Sequence, residues 1–171
     1  DDVDYEWKDY QTKIYDDISV LSDATGNQIY SPLKSESGNG SVYWKISDFI
    51  TNRMTGDFSQ KQPEVYPATR SSMVKPTAIT DTVVVRYEGW YYNKAGEFTI
   101  FDYGTEKITQ YKPPYTGSNN NTTPVHMGLS GVVDGFRTAL MDMVVNEERI
   151  VCIPANLGYG SSAQSAIPAY T

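Results

Sequence analysis

The chain has 171 residues, a formal net charge of -7 and a mean hydropathy of -0.47. This length accommodates one large domain with its own core. No run approaches the roughly 18 apolar residues of a membrane span. The negative charge argues against nucleic acid as a partner. A single cysteine, Cys152, excludes a disulfide within the chain, and a single histidine, His126, argues against a zinc site and a Ser-His-Asp hydrolase. No phosphate-binding glycine motif is present, and we expect neither a metal nor a cofactor.

The first predicted element is an amphipathic helix over residues 5–21. Its apolar residues recur at spacings of three and four: Trp7, Tyr10, Ile14, Ile18 and Leu21. A stripe this apolar should not remain in water, so we expect the helix to dock on its own domain or on a second copy. The polar, glycine-rich sequence that follows is interpreted as a linker. Residues 1–40 are therefore expected to be a helix and linker, and residues 41–171 the main domain.

The main domain begins with a predicted strand, SVYWKI, followed by a proline-containing insertion at about residues 51–79. DTVVVRYEGWYY predicts the strongest strand, and NKAG turns it into a second strand, EFTIFD. After a long polar loop, DGFRTALMDM predicts a short amphipathic helix for which Asp134 is a plausible N-cap. RIVCIP predicts another strand. This order indicates an α+β domain with an antiparallel sheet and one helix against a sheet face.

Five motifs follow one another along the second half of the chain: VVVRYEGW, FD, GVVDGFRTALMDM, RIVCIPANLGYG and AIPAY. This succession resembles the FKBP-type peptidyl-prolyl cis-trans isomerases, and SVYWKI is similar to the preceding strand of the family's bacterial envelope members. The resemblance covers about residues 81–171. It implies a curved antiparallel sheet wrapped on one short helix, an FKBP-like fold, here with an N-terminal helical extension.

The resemblance also implies which residues form the site. The expected catalytic residues are Tyr87, Asp102, Val133 and Tyr159. The expected substrate-binding residues are Phe101, Val125, Val132, Phe136 and Ile167. In the family, the backbone N–H of the second valine position binds the substrate carbonyl, and the tyrosine of the G-Y-G motif donates a hydroxyl hydrogen bond. The hairpin leaves a competing register open, in which Phe98 and Thr99 replace the Phe-Asp pair.

Two functions are favoured from the sequence, and a third, a structural lipoprotein domain, rests only on the acidic start and the flexible N-terminal region. One is a peptidyl-prolyl cis-trans isomerase (rotamase) that assists protein folding, as a chaperone in a bacterial periplasm or as an envelope lipoprotein. Its partners would be proline-containing polypeptides and macrolide inhibitors. The alternative is a non-catalytic FKBP-like module that binds protein or peptide, which the valine at position 125 favours because the family commonly has an aromatic residue there. The oligomeric state is left open.

The resemblance finally implies a last strand after the Ile-Pro pair. We expect it to be supplied by further chain after Thr171, or its place to be taken by part of residues 51–79 or by a neighbouring chain.

Overall fold

The computed structural model describes residues 2–46, 75–85, 87–102, 125–144, 147 and 149–171. The helices and strands among them are α1 (Tyr5–Ser19), β1 (Ser31–Lys34), β2 (Ser41–Ile46), β3 (Thr82–Val85), β4 (Gly89–Tyr92), β5 (Phe98–Asp102), β6 (Val125–Gly128), α2 (Asp134–Asp142) and β7 (Arg149–Cys152). This mixed architecture of antiparallel strands, a short central helix and an N-terminal helix confirms the predicted α+β fold. The predicted insertion and the long polar loop lie almost entirely outside the described residues.

The main core lies where α2 packs against β1 and β2. β1, β2 and β7 form one antiparallel sheet in that order. Val42 of β2, Leu129 before α2 and Leu157 after β7 are completely buried. α2 adds its Ala139–Leu140 face to them, because these positions lie on the side of the helix that faces the sheet.

The predicted strand DTVVVRYEGWYY is divided in two. β3 pairs antiparallel with β6, whereas β4 pairs antiparallel with β5 and has a register shift between Gly89 and Trp90. The close approach of Phe101 requires glycine at position 89, because a Cβ atom there would lie 2.4 Å from the phenyl ring. The chain between the two strands carries Tyr87 towards α2, where its ring meets Phe136.

Part of the predicted linker is a strand: β1 pairs with β2 along its whole length. The Glu36 backbone N–H also donates to Thr138 Oγ1 of α2 at 2.9 Å. The short sequence SPLK carries no clear strand pattern. In the structure only Leu33 of its four residues is half-buried, and the other three are exposed. Pairing with β2 makes it a strand.

α1 docks on the domain, one of the two outcomes expected from its apolar stripe. Trp7 is buried, its ring meets Tyr91 edge-on at 5.9 Å, and its Nε1 donates to Thr171 Oγ1 at 3.0 Å. Further along the helix, Tyr15 donates its hydroxyl hydrogen to the Ser41 carbonyl at 2.7 Å. The helix therefore bridges β4, β2 and the residues at 170–171.

The N-terminus of α2 differs in detail from the prediction. Asp134 is the first helical residue rather than the N-cap, which is Val133. The Asp134 carboxylate instead accepts hydrogen bonds from Ser37 Oγ and from Thr138 Oγ1. Gly135 allows this end of the helix to approach the chain after β7, because a Cβ atom at that position would lie 2.5 Å from Ile153 Cγ2.

Within the described residues, no helix combines the length and apolar character needed to cross a bilayer. The same part of the chain holds no cluster of three or more histidine, cysteine, aspartate or glutamate side chains suited to a metal ion.

Candidate active site

A tyrosine–carboxylate pair stands at the centre of the candidate site. The Tyr87 hydroxyl donates to Asp102 Oδ2 at 3.0 Å. Burial and this hydrogen bond to the carboxylate raise the pKa of Tyr87 to about 12, so the phenol remains a donor throughout the neutral range. The contact supplies a partner for the expected buried carboxylate. It also supports the register that places Phe101 and Asp102, rather than Phe98 and Thr99, at the site.

Aromatic rings form the base of the site. The rings of Tyr87 and Phe136 meet at 61° with their centroids 5.7 Å apart, an edge-to-face geometry that suits aromatic pairs. Phe136 is in the first turn of α2, and Phe101 is the penultimate residue of β5. The Phe101 ring stacks with Tyr91 at a centroid distance of 6.3 Å. The short helix and the β4–β5 hairpin therefore deliver aromatic side chains to one place.

The start of α2 presents a backbone donor to the same place. Val133 has an extended backbone at φ -61° and ψ 152°, and its carbonyl accepts from the Arg137 N–H at 3.0 Å. Within the described residues, the Val133 N–H itself donates to no protein acceptor. Arg137 Nη1 donates to the Val132 carbonyl at 3.2 Å, which holds the two valines in this geometry. A helix N-terminus favours partial negative charge, so this N–H is suited to a carbonyl oxygen.

Arg137 was not among the residues expected from the sequence. Its position on α2, five residues after Val132, indicates a site residue only weakly, because an arginine there also suits an ordinary solvent-exposed helix face. Only the fold shows that the guanidinium turns back to the valine carbonyl.

The loop after β7 forms the opposite wall. Tyr159 is 42% exposed, and its hydroxyl has no hydrogen-bond partner among the described residues. Ile167 is buried, and its backbone exchanges two hydrogen bonds with Gln164, at 2.9 and 3.3 Å. These bonds close the polar tract into a tight turn. Ile167 is thus fixed as an apolar wall of the cavity that Tyr159 also lines.

One large cavity is lined by residues from most of the described elements, and eight of the nine predicted site residues are among them: Tyr87, Phe101, Asp102, Val132, Val133, Phe136, Tyr159 and Ile167. The ninth, Val125, is half-buried at the start of β6 and does not contribute to the cavity wall. The arrangement offers an apolar floor, together with a backbone N–H and a phenol that have no hydrogen-bond partner in the described part of the chain. Aromatic and aliphatic walls with these two hydrogen-bond donors suit binding and reshaping an amide.

The profile of the family described as FKBP-type peptidyl-prolyl cis-trans isomerase matches residues 75–170, which is more than half of the chain. The chain belongs to this family. The FKBP match ends one residue before Thr171 and includes every predicted site residue.

Curated relatives are similar over shorter shares of their length. FK506-binding protein 2 of Aspergillus oryzae is 30% identical over 94 residues, which is 55% of this chain and 59% of that protein. Peptidyl-prolyl cis-trans isomerase FKBP9 of Rattus norvegicus is 32% identical over 74 residues, 43% of this chain and 13% of that protein. FK506-binding protein 5 of Dictyostelium discoideum is 28% identical over 100 residues, 58% of this chain and 5% of that protein. The chain thus spans less than two thirds of each of these relatives. No solved structure matches it significantly.

Proposed function

We propose that the FKBP domain of this chain catalyses cis-trans isomerisation of X–Pro peptide bonds in proline-containing polypeptides. The observation that carries the proposal is the cluster of Tyr87, Asp102 and Phe136, in a cavity that Val133, Tyr159 and Ile167 also line. Membership of the family supports it.

The site would act by favouring a twisted amide over the planar one. Amide resonance sets a rotation barrier of about 18–20 kcal/mol, and the planar amide is more polar than the twisted amide, in which resonance is lost. Apolar surroundings such as Phe136 and Ile167 therefore disfavour the planar state. Hydrogen bonds from Val133 N–H and Tyr159 Oη would hold the substrate carbonyls. A barrier lower by ~8 kcal/mol corresponds to roughly a million-fold acceleration.

A protease-coupled assay on a Leu-Pro or Phe-Pro peptide tests the proposal. We expect catalysis that a rapamycin-type macrolide inhibits, because such a ligand would occupy the same apolar cavity. Tyr159→Phe should lower the rate, since it removes the unpaired phenol. Tyr5→Phe is a matched control, because Tyr5 is 65% exposed on α1 and lies outside the cavity wall. Isomerisation at the uncatalysed rate by the folded protein would reject catalysis.

A second candidate function is a non-catalytic module that binds peptide through the same cavity. The position of Val125 away from the cavity wall and the 42% exposure of Tyr159 favour it. Calorimetric binding of an X–Pro peptide without acceleration of its isomerisation would distinguish this function from the first.

We propose that the protein assists folding in the bacterial envelope, either as a periplasmic protein or as a lipoprotein. It is supported only by the similarity of SVYWKI to the corresponding strand of envelope members, and the relatives named above come from eukaryotes. Fractionation of the source cells with an antibody against the domain tests it, and recovery with cytosolic markers would reject it.

A further inference from the structure

The peptide group between Val132 and Val133 connects the candidate site to the first turn of α2. A trans peptide group is planar, and its C=O and N–H bonds point in nearly opposite directions. The Val132 carbonyl and the Val133 N–H belong to the same group, so the direction of one fixes the direction of the other. Both residues line the cavity. Whatever holds the Val132 carbonyl therefore aims the Val133 N–H.

Arg137 is the residue that holds this carbonyl. Its Nη1 donates to the Val132 oxygen at 3.2 Å, and within the described residues no other hydrogen bond reaches either side of the peptide group. Both valines precede the first helical residue and have extended backbones, with ψ at 162° for Val132 and 152° for Val133. The guanidinium thus anchors a peptide group that the hydrogen-bond ladder of the helix does not include.

The guanidinium is itself supported by Asp134. Arg137 Nη2 lies 3.9 Å from Asp134 Oδ1, and the two side chains are only 21% and 18% exposed. The Asp134 carboxylate accepts hydrogen bonds from Thr138 Oγ1 and from Ser37 Oγ, which lies in the turn between β1 and β2. The Glu36 N–H of the same turn donates to Thr138 Oγ1 at 2.9 Å. The carboxylate is therefore fixed from the turn as well as from its own helix.

We propose that Arg137 is a positioning residue of the isomerase site, which directs the Val133 N–H at the substrate carbonyl. The turn between β1 and β2 sustains this direction through the bond from Ser37 to Asp134. The role rests on the proposed function, because it concerns the donor of that same site. A charged donor makes a stronger hydrogen bond and polarises the amide that accepts it, so Arg137 also strengthens the Val133 N–H as a donor. Ser37 precedes residues 75–170, so the turn adds support from outside the part of the chain that matches the family.

Arg137→Met tests this role, because methionine keeps an apolar stem and removes every donor. Lys13→Met is the matched control, because it makes the same change in charge and breaks an exposed ion pair with Asp17 on α1, outside the cavity wall. Ser37→Ala alters no residue of α2 and tests the turn. Residual dipolar couplings of the ligand-free protein measure the orientation of the Val133 N–H bond, and the protease-coupled assay measures kcat and KM.

We expect Arg137→Met to change the Val133 coupling, while the coupling of Ala139, which is buried in α2, stays as in the parent. KM should rise about five- to tenfold, as for the loss of one hydrogen bond to the substrate, with kcat within about twofold of the parent. Ser37→Ala should shift the same coupling less and raise KM about twofold. Lys13→Met should change neither. Loss of folded protein alone would instead lower the apparent kcat and leave KM unchanged.

An unchanged Val133 coupling in Arg137→Met would overturn the positioning role, whether or not the parent protein is an isomerase. A lower kcat at unchanged KM would overturn it too, because it would leave Arg137 with a structural role alone. A Ser37→Ala protein identical to the parent in both measurements would remove the turn from the proposal. Isomerisation by the parent at the uncatalysed rate would reject the proposed function instead, and the coupling in the ligand-free protein would still decide the role of Arg137.

Discussion

The hydrogen bond from Tyr87 to Asp102 gives the sharpest prediction about the site. Tyr87→Phe deletes the donor and leaves the ring against Phe136 in place. A hydrogen bond to a charged group contributes about 1.5–3 kcal/mol, so we expect a loss of about 2 kcal/mol in the free energy of unfolding. For a chain of this size, that corresponds to a Tm lower by about 4–8 °C.

Tyr159→Phe provides the comparison, because its hydroxyl has no partner among the described residues and the side chain is 42% exposed. It should lower isomerase activity and leave the Tm nearly unchanged. Urea unfolding and the protease-coupled assay, applied to both variants, separate the two roles. A Tyr87→Phe protein as stable as the parent would refute the reasoning that this pair supports the fold of the site.

The pH dependence of this pair has a defined sign. The pKa of Tyr87 is about 12 in the folded protein, above the ordinary value of 10.0. The stabilisation is therefore fully present below about pH 10 and is lost as the pH rises through the folded pKa. We expect the stability difference between the parent and Tyr87→Phe to be constant at neutral pH and to shrink between about pH 10 and 12. A difference that already changes between about pH 6 and 9 would contradict this assignment.

Three further predictions concern packing. Phe136→Ala should reduce both activity and stability, the latter by up to about 3–5 kcal/mol as for a core phenylalanine, and full activity in a folded variant would remove this residue from the site. Gly135→Ala should destabilise the protein despite alanine's higher helix propensity, because the new methyl would lie 2.5 Å from Ile153 Cγ2. Urea unfolding measures this change, and a gain in stability would show that the helix can shift without penalty. Trp7→Ala should lower the Tm and increase proteolysis within α1, since the indole is buried against Tyr91, and an unchanged Tm would mean that the helix is a loosely attached tether.

The sequence by itself determined the elements whose signals are local. The period of DGFRTALMD fixes α2 because its apolar positions fall on one helix face, and the NKAG turn before EFTIFD indicates β5. The order of five motifs gave the family and all nine site candidates, eight of which line one cavity. Such motifs can be recognised without the fold because each is a short run of neighbouring residues.

Only the tertiary structure decided the features that depend on residues far apart in the chain. β1 is a strand because β2 supplies hydrogen-bond partners that its own sequence does not indicate, and the chain just after it is held to α2 through Glu36. The partner of Asp102 is a tyrosine 15 residues earlier, and α1 is held in part by a bond from Trp7 to a residue 164 positions away. Hydrogen bonds and ring contacts are satisfied in space rather than along the chain. Sequence periodicity therefore indicates which face of α1 must be covered, whereas folding decides that β4 and β2 lie beneath it.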